Sequence, residues 1–379
     1  GDWMYLAGVG ATPQGDLPFL RRFRLSDRTT QEMFRSATGT YELFVGFSDE
    51  VAGGMVTRYE TPTISPNYRL RSLATPSSSI ATLTAFPDPA PELNGIRKEL
   101  LQYKRADGIP LSGTLYYPVD YASGTRVPVI IWAYPREYVS PETAGQVRAV
   151  PNRFARLEGM SILLLLLEGY AVLFNAEIPV VGKPLEANNT YVEQITSAAQ
   201  AAVDTLVEMG IADRHRIGIG GHSYGAFMVA NLLAHTDLFA AGVARSGAYN
   251  RTLTPFGFQA ERRTYWQATE IYTRLSPFTY AHQINEPLLL IHGELDENTG
   301  TFPLQSERLY AAIKGNGGTS RLVLLPGEGH AYRARESILH VLAETLSWCD
   351  THIRNRPLPP AKTASESVPL ESPRPVSGR

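Results

Sequence analysis

Ser223, Asp296 and His330 stand in an order and at intervals that suit nucleophilic catalysis. Ser223 lies within Gly221-His222-Ser223-Tyr224-Gly225, directly after the apolar run Ile217-Gly218-Ile219-Gly220 and directly before the helical run Ala226 to His235. A serine on a strained strand-to-helix turn projects its hydroxyl clear of the backbone, and the flanking glycines are required because side chains there would collide with it. The helix that follows aims its first N–H groups at the same spot, so the backbone N–H of Tyr224 is a candidate oxyanion donor.

A hydroxyl becomes a nucleophile when an imidazole removes its proton and a carboxylate orients the imidazole. The apolar run Leu288-Leu289-Leu290-Ile291-His292 leads into Gly293-Glu294-Leu295-Asp296, and Leu322-Val323-Leu324-Leu325 leads into Pro326-Gly327-Glu328-Gly329-His330. Asp296 is favoured over Glu294, Glu297 and Glu328 because it falls in the first turn past its strand. His292 reads as a packed strand-end residue and His222 as scaffolding of the elbow. His215, His235, His282, His340 and His352 read as surface or helix residues. No H-E-x-x-H or comparable spacing occurs, so neither a metal nor a cofactor is expected.

Three such loops converge only if a sheet delivers them to one edge. From Leu100 onward, apolar runs alternate with helical stretches: Val129 to Trp132, Ala171 to Asn175, Arg216 to Gly220, Ala241 to Arg245, Pro287 to His292 and Arg321 to Leu325. That alternation predicts a mostly parallel, doubly wound sheet of the α/β-hydrolase type, with its site at the carboxyl ends of the strands. Asp107-Gly108 between two apolar runs predicts a hairpin at the start of this region. From Met4 to Phe86 only short strand-like runs appear, spaced as in propeller blades, and roughly 90 residues suffice for about two four-stranded blades. The Pro87-Asp88-Pro89-Ala90-Pro91 segment marks the boundary. The expected organisation is a partial β-propeller over 1–90, a hydrolase domain over 91–355 and a disordered Pro- and Ser-rich tail over 356–379.

The 379 residues carry 35 Lys plus Arg against 37 Asp plus Glu, and this balance gives no long-range attraction toward nucleic acid or a membrane surface. The longest apolar run, Ile162 to Leu167 continuing to Phe174, is broken by Glu168 and Gly169, which predicts a core helix followed by a strand. The one cysteine, Cys349, excludes an internal disulfide and reads as a buried thiol. Gly1 enters strand-like sequence without an initiating methionine or a targeting signal, so an N-terminal portion is expected to be missing.

These residues resemble the prolyl oligopeptidase family, in which a β-propeller precedes an α/β-hydrolase domain. The resemblance rests on Gly-Gly-His-Ser-Tyr-Gly-Ala at the elbow, on His292-Gly293-x-x-Asp296, and on the intervals of 73 and 34 residues that separate Ser223, Asp296 and His330. Within the family the chain is most similar to glutamyl endopeptidases of the chloroplast type, through Gly220 to Met228 and through Ala244 to Gln259. The similarity runs from about Tyr5 to Arg354.

The resemblance implies a serine peptidase that takes peptides or unfolded proteins, with a plastid-stroma or cytoplasmic setting. It also implies that Tyr134, in Ile131-Trp132-Ala133-Tyr134-Pro135, supplies a second oxyanion donor, although Pro135 stands where the family usually has glycine. Cleavage after glutamate would need a cation to meet the substrate carboxylate, and arginine does this best through its planar fork. Arg251 is the first candidate and Arg245 the second, and Asn298 is expected to hold the substrate backbone. An esterase or acyl hydrolase, or a dipeptidyl or oligopeptidase of other specificity, remains an alternative because the triad alone does not choose amide over ester. Glu366 and Glu371 in the tail raise the further expectation of self-trimming.

Overall fold

The structure is a computed structural model that describes residues 1–48, 53–75 and 78–357. The expected tail, including Glu366 and Glu371, lies outside the described residues apart from its first two positions.

Eight strands form the central sheet: β1 (Lys98–Lys104), β2 (Pro110–Tyr116), β3 (Val127–Tyr138), β4 (Ala171–Val181), β5 (Ala212–His222), β6 (Gly242–Arg245), β7 (Leu288–Gly293) and β8 (Ser320–Leu325). Their order is β1-β2-β4-β3-β5-β6-β7-β8. The predicted hairpin pairs β1 with β2, and β2 also runs antiparallel to β4, whereas every later pairing is parallel. Parallel strands need crossovers, and the helices that supply them cover both faces of the sheet. Leu288, Leu289, Leu290 and Ile291 are accordingly fully buried, as a strand covered on both sides requires.

Four helices matter for the site: α1 (Tyr191–Glu208), α2 (Tyr224–His235), α3 (Pro303–Gly315) and α4 (Arg335–Cys349). Helix α1 buries Ile195, Ala198, Ala199, Ala202, Val203 and Leu206, a stripe at helical spacing. Helix α2 is buried on all sides from Gly225 to Ala234 and forms the centre of the larger apolar core. Cys349 is buried in the second core, beneath the opposite face of the sheet. Ile162–Glu168 forms a 3-10 helix before β4, close to its expected form.

Strands β3 and β4 run well past the apolar stretches that predicted them. Their parallel pairing continues from Ala133 to Tyr138 beyond an irregularity at Trp132/Ala133, where Asn175 adopts φ 52°. Polar residues are tolerated at this end of β3, where Arg136 is exposed and Glu137 only partly buried.

The N-terminal region contains no helix among its described residues before Pro91. Trp3–Gly8, Phe19–Arg24 and Thr30–Arg35 form a three-stranded antiparallel sheet, and Tyr41–Ser48, Gly54–Glu60, Asn67–Ser72 and Ser79–Thr82 form a four-stranded meander. The meander has the form of one propeller blade. The first sheet has one strand fewer than a blade, since the chain between its first two strands turns as a small hairpin, Ala11–Thr12 with Gly15–Asp16. That hairpin packs on the hydrolase region: Asp16 N–H donates to Ala149 O, and Gln102 Nε2 donates to Pro13 O at 2.7 Å.

Candidate active site

Ser223 occupies the corner between β5 and α2 with φ 58° and ψ −116°, a conformation that side chains other than glycine rarely adopt. The turn is too tight for side chains on either side. A Cβ on Gly221 would stand 2.6 Å from the Gly225 carbonyl carbon, and one on Gly225 would stand 2.6 Å from Ala133 O. Ser223 N–H donates to Arg245 O at 2.7 Å, while Ser223 O accepts from Phe227 N–H and starts the helix. Tyr224 occupies the first turn of α2, where backbone N–H groups have no intrahelical acceptor.

The loops after β7 and β8 bring the acid and the base to this corner. His330 Nε2 lies 2.9 Å from Ser223 Oγ, and His330 Nδ1 lies 2.8 Å from Asp296 Oδ2. A carboxylate facing Nδ1 keeps the proton there and leaves Nε2 free to accept the serine proton. Asp296 is 3% exposed, and its other oxygen accepts from Asn298 N–H at 2.9 Å and from the Thr301 hydroxyl at 3.2 Å. Of the competing carboxylates, Glu297 and Glu294 are exposed, and Glu328 instead accepts the N–H groups of Arg333 and Ala334 ahead of α4. The two loops clasp each other, with Leu295 N–H donating to Glu328 O at 2.8 Å.

His292 is more than the packed strand-end residue that its sequence position suggests. It is fully buried, and its Nε2 lies 2.6 Å from Thr301 O and 3.1 Å from Asp296 Oδ2. A carbonyl can only accept, so Nε2 carries the proton and Nδ1 accepts from Ser306 Oγ of α3 at 2.7 Å. Burial holds His292 below the usual imidazole range, consistent with a neutral donor. The available signal was its place four residues before the acid. His222 lies against His330 with ring centroids 4.8 Å apart, and burial pushes its pKa down to about 4.

A cavity of about 240 Å³ opens beside the serine, lined by Ser223, Tyr224, Arg251, Phe258 and Asn298 among others. Arg251 is 5% exposed, with its guanidinium carbon 3.9 Å from the Phe227 ring centroid and 4.4 Å from that of Phe258. Its Nε has no hydrogen-bond partner, and no carboxylate among the described residues stands within ion-pair distance. Burial lowers its pKa to about 10, which leaves it charged at neutral pH. Glu137 feels its field from farther away. That carboxyl accepts from the Tyr224 hydroxyl at 3.1 Å, and burial raises it above the usual carboxylate range. Asn298 also donates through Nδ2 to Thr301 Oγ1 at 3.0 Å.

Arg245, the second candidate carboxylate reader, does not enter this cavity. It is 1% exposed; its guanidinium stacks on Trp132 and donates to Met160 O at 2.8 Å and to Thr345 Oγ1 at 3.1 Å. Strand alternation sends this side chain to the opposite face of the sheet, toward α4. Tyr134 lies on β3 beside the elbow, half-exposed, with its ring edge-on to that of Tyr224 at 5.9 Å. Burial raises its hydroxyl pKa above the ordinary tyrosine value, so it stays a donor.

Among the described residues no helix is long and apolar enough to cross a membrane. Comparison with known proteins places this site in context. The model of the prolyl oligopeptidase family matches residues 187–356. The chain is 47% identical over 361 residues to a probable chloroplastic glutamyl endopeptidase of Arabidopsis thaliana, covering 92% of this chain and 37% of that protein. It is 44% identical over 379 residues to the counterpart from Oryza sativa subsp. japonica, covering 97% and 40%. The chain therefore spans about two fifths of the length of these relatives. Among solved structures, dipeptidyl peptidase 4 of Porphyromonas gingivalis superposes with a TM-score of 0.70 at 16% identity, covering 92% of this chain and 48% of that one. The acylaminoacyl peptidase of Pyrococcus horikoshii gives 0.68 at 20% identity, covering 94% and 55%. These likenesses carry the fold, an α/β hydrolase with propeller-type sheets ahead of it, and the family match places residues 187–356 in the prolyl oligopeptidase family, with the plant relatives similar over nearly the whole chain.

Proposed function

We propose that this chain carries the catalytic region of a serine peptidase that cleaves peptide bonds after glutamate through an acyl-enzyme. In this reading 1–90 is the terminal part of a propeller and 91–355 the hydrolase domain. Ser223 Oγ attacks the scissile carbonyl while His330 Nε2 takes its proton, forming the C–O bond of a tetrahedral intermediate. The N–H of Tyr224 and the hydroxyl of Tyr134 hold the oxyanion. As the C–N bond breaks, His330 passes the proton to the leaving nitrogen, and water later repeats the sequence to release the acid. Asn298 holds the substrate backbone.

The observation that carries the specificity is Arg251. A buried guanidinium without an ion-pair partner, facing a small cavity shared with the nucleophile, leaves a substrate carboxylate as the group that completes it. The names of the plant relatives point the same way, and a plastid-stroma or cytoplasmic setting belongs to the same proposal. A peptide library varied only at the residue before the cut tests it: turnover confined to Glu, with Asp weaker, is expected, and equal turnover of Glu and Leu peptides would reject it.

A further inference from the structure

A second cavity, of about 420 Å³, includes in its lining His222, the residue before Ser223, together with Trp132, Arg245, Arg153, Arg156 and Glu158. Its place fixes which part of a substrate it can hold. His330 must deliver a proton to the leaving nitrogen, and His222, stacked on His330 at 4.8 Å, forms the wall of this second cavity. In the peptidase reading, the residue before the cut sits beside Tyr224 and Arg251, which directs the chain beyond the cut past His330 toward the space bounded by His222.

The charge of that space is positive. Three arginines line it against one carboxylate, Glu158, which is exposed and pairs with Arg156. Arg153 and Arg156 keep 40% and 38% of their side chains exposed. Glu60, 3.8 Å from Arg153, offsets part of its charge but also pairs with Arg58. Arg245 also lines the cavity. It is almost wholly buried, its Nε has no partner, and no carboxylate among the described residues lies within ion-pair distance of it. A buried cation with only neutral partners is costly unless an anion approaches it, and Trp132 beneath it supplies only part of the compensation.

We propose that this cavity is a leaving-group subsite that selects a carboxylate carried by the second residue after the cut bond. Arg153 and Arg156 make the contacts at its mouth, and Arg245 holds the floor at positive potential. The inference rests on the peptidase reading above. That reading makes Arg251 recognise the acid before the cut, and this one adds a second acid after it.

The test compares peptides that share Glu before the cut and an amidated C-terminus and differ only in Asp, Ala or Lys at the second position after it. A further peptide carries Ala there and ends at that residue in a free carboxylate, so that a side-chain acid and a terminal one are distinguished. For this chain the expected kcat/KM is at least about tenfold higher for Asp than for Lys, the scale of one charged hydrogen bond. The preference falls to about twofold or less in the Arg153→Gln/Arg156→Gln double variant and rises in Glu158→Gln. Isothermal titration of Ser223→Ala with Ala-Asp-Ala-amide, Ala-Lys-Ala-amide and free Ala-Ala measures the same preference without turnover. Equal rates and equal binding for Asp and Lys, or a preference undiminished in the double variant, would overturn the subsite. Selective binding of the acidic peptides without any cleavage would instead retain the subsite and reject the peptidase reading.

Discussion

One oxygen of Asp296 serves two imidazoles, His330 at 2.8 Å and His292 at 3.1 Å. His292 is itself held by Thr301 O and Ser306 Oγ, so α3 sets the orientation of the Asp296 carboxylate through a buried histidine. His292→Gln is expected to lower kcat by on the order of a hundredfold, since a displacement of about 1 Å in a catalytic group costs that much. KM should change little, because no substrate contact is removed. Steady-state kinetics on one peptide checks it, and a change in KM alone would contradict the positioning role.

Arg251→Ala is expected to reduce kcat/KM for Glu peptides by about ten- to a hundredfold, corresponding to about 1.5–3 kcal/mol for a hydrogen bond to a charged group. Turnover of Leu peptides should remain near its low starting value. A parallel assay of the two peptide series reads the difference, and an equal loss on both would remove Arg251 from substrate recognition.

Tyr134→Phe keeps the ring beside Tyr224 and removes only the hydroxyl. Loss of one oxyanion donor costs on the order of a hundred- to a thousandfold in kcat, with the fold unaffected. Circular dichroism together with steady-state kinetics distinguishes this from unfolding, and wild-type kcat in the variant would leave the N–H of Tyr224 as the donor that matters.

Gly225→Ala places a methyl group 2.6 Å from Ala133 O, a backbone atom that cannot swing aside. The clash is expected to destabilise the chain by roughly 1–3 kcal/mol and to displace the elbow. Thermal unfolding and active-site labelling should fall together. A stable, fully active variant would contradict the packing described for the nucleophile turn.

Between the N-terminal hairpin and the hydrolase region, burial raises Asp16 from 3.8 to about 6 and Glu177 from 4.5 to about 7. Raised acids stabilise the fold while protonated, so their contribution is complete below about pH 4 and lost as pH rises through about 7. Relative to the Asp16→Asn/Glu177→Gln double variant, the wild-type melting temperature should fall between pH 4 and pH 8. Parallel melting curves across that range would show that the two carboxyls ionise as freely in the fold as outside it.

Much of the site was legible because each part sits directly after an apolar strand. Ser223 follows Ile217 to Gly220, Asp296 follows Leu288 to Ile291, and His330 follows Leu322 to Leu325, so local pattern and chain order were enough to name them. The two arginines were not separable in that way. Arg245 and Arg251 flank the same stretch, and only the parity at the end of the short strand β6 decides that Arg245 points beneath the sheet. The link from His292 to Asp296 needs the loop to turn back on its own strand, which spacing does not reveal. The extension of β3 and β4 to Tyr138 and Val181 was hidden because Pro135 and Pro179, with the polar Arg136, Glu137 and Glu177, interrupt the strand-like pattern. That Arg153 and Arg156 line one cavity with His222 depends on residues some seventy positions apart meeting in the fold.

The relay from Asp296 through His330 to Ser223 is tested most directly by fluorophosphonate labelling of this chain, with the modified peptide located by mass spectrometry. The expected result is one adduct, on Ser223, absent in Ser223→Ala, strongly slowed in His330→Ala, and blocked by a peptide aldehyde ending in Glu but not by one ending in Lys. Folded protein that takes no label at Ser223, or that labels equally fast without His330, would contradict the account.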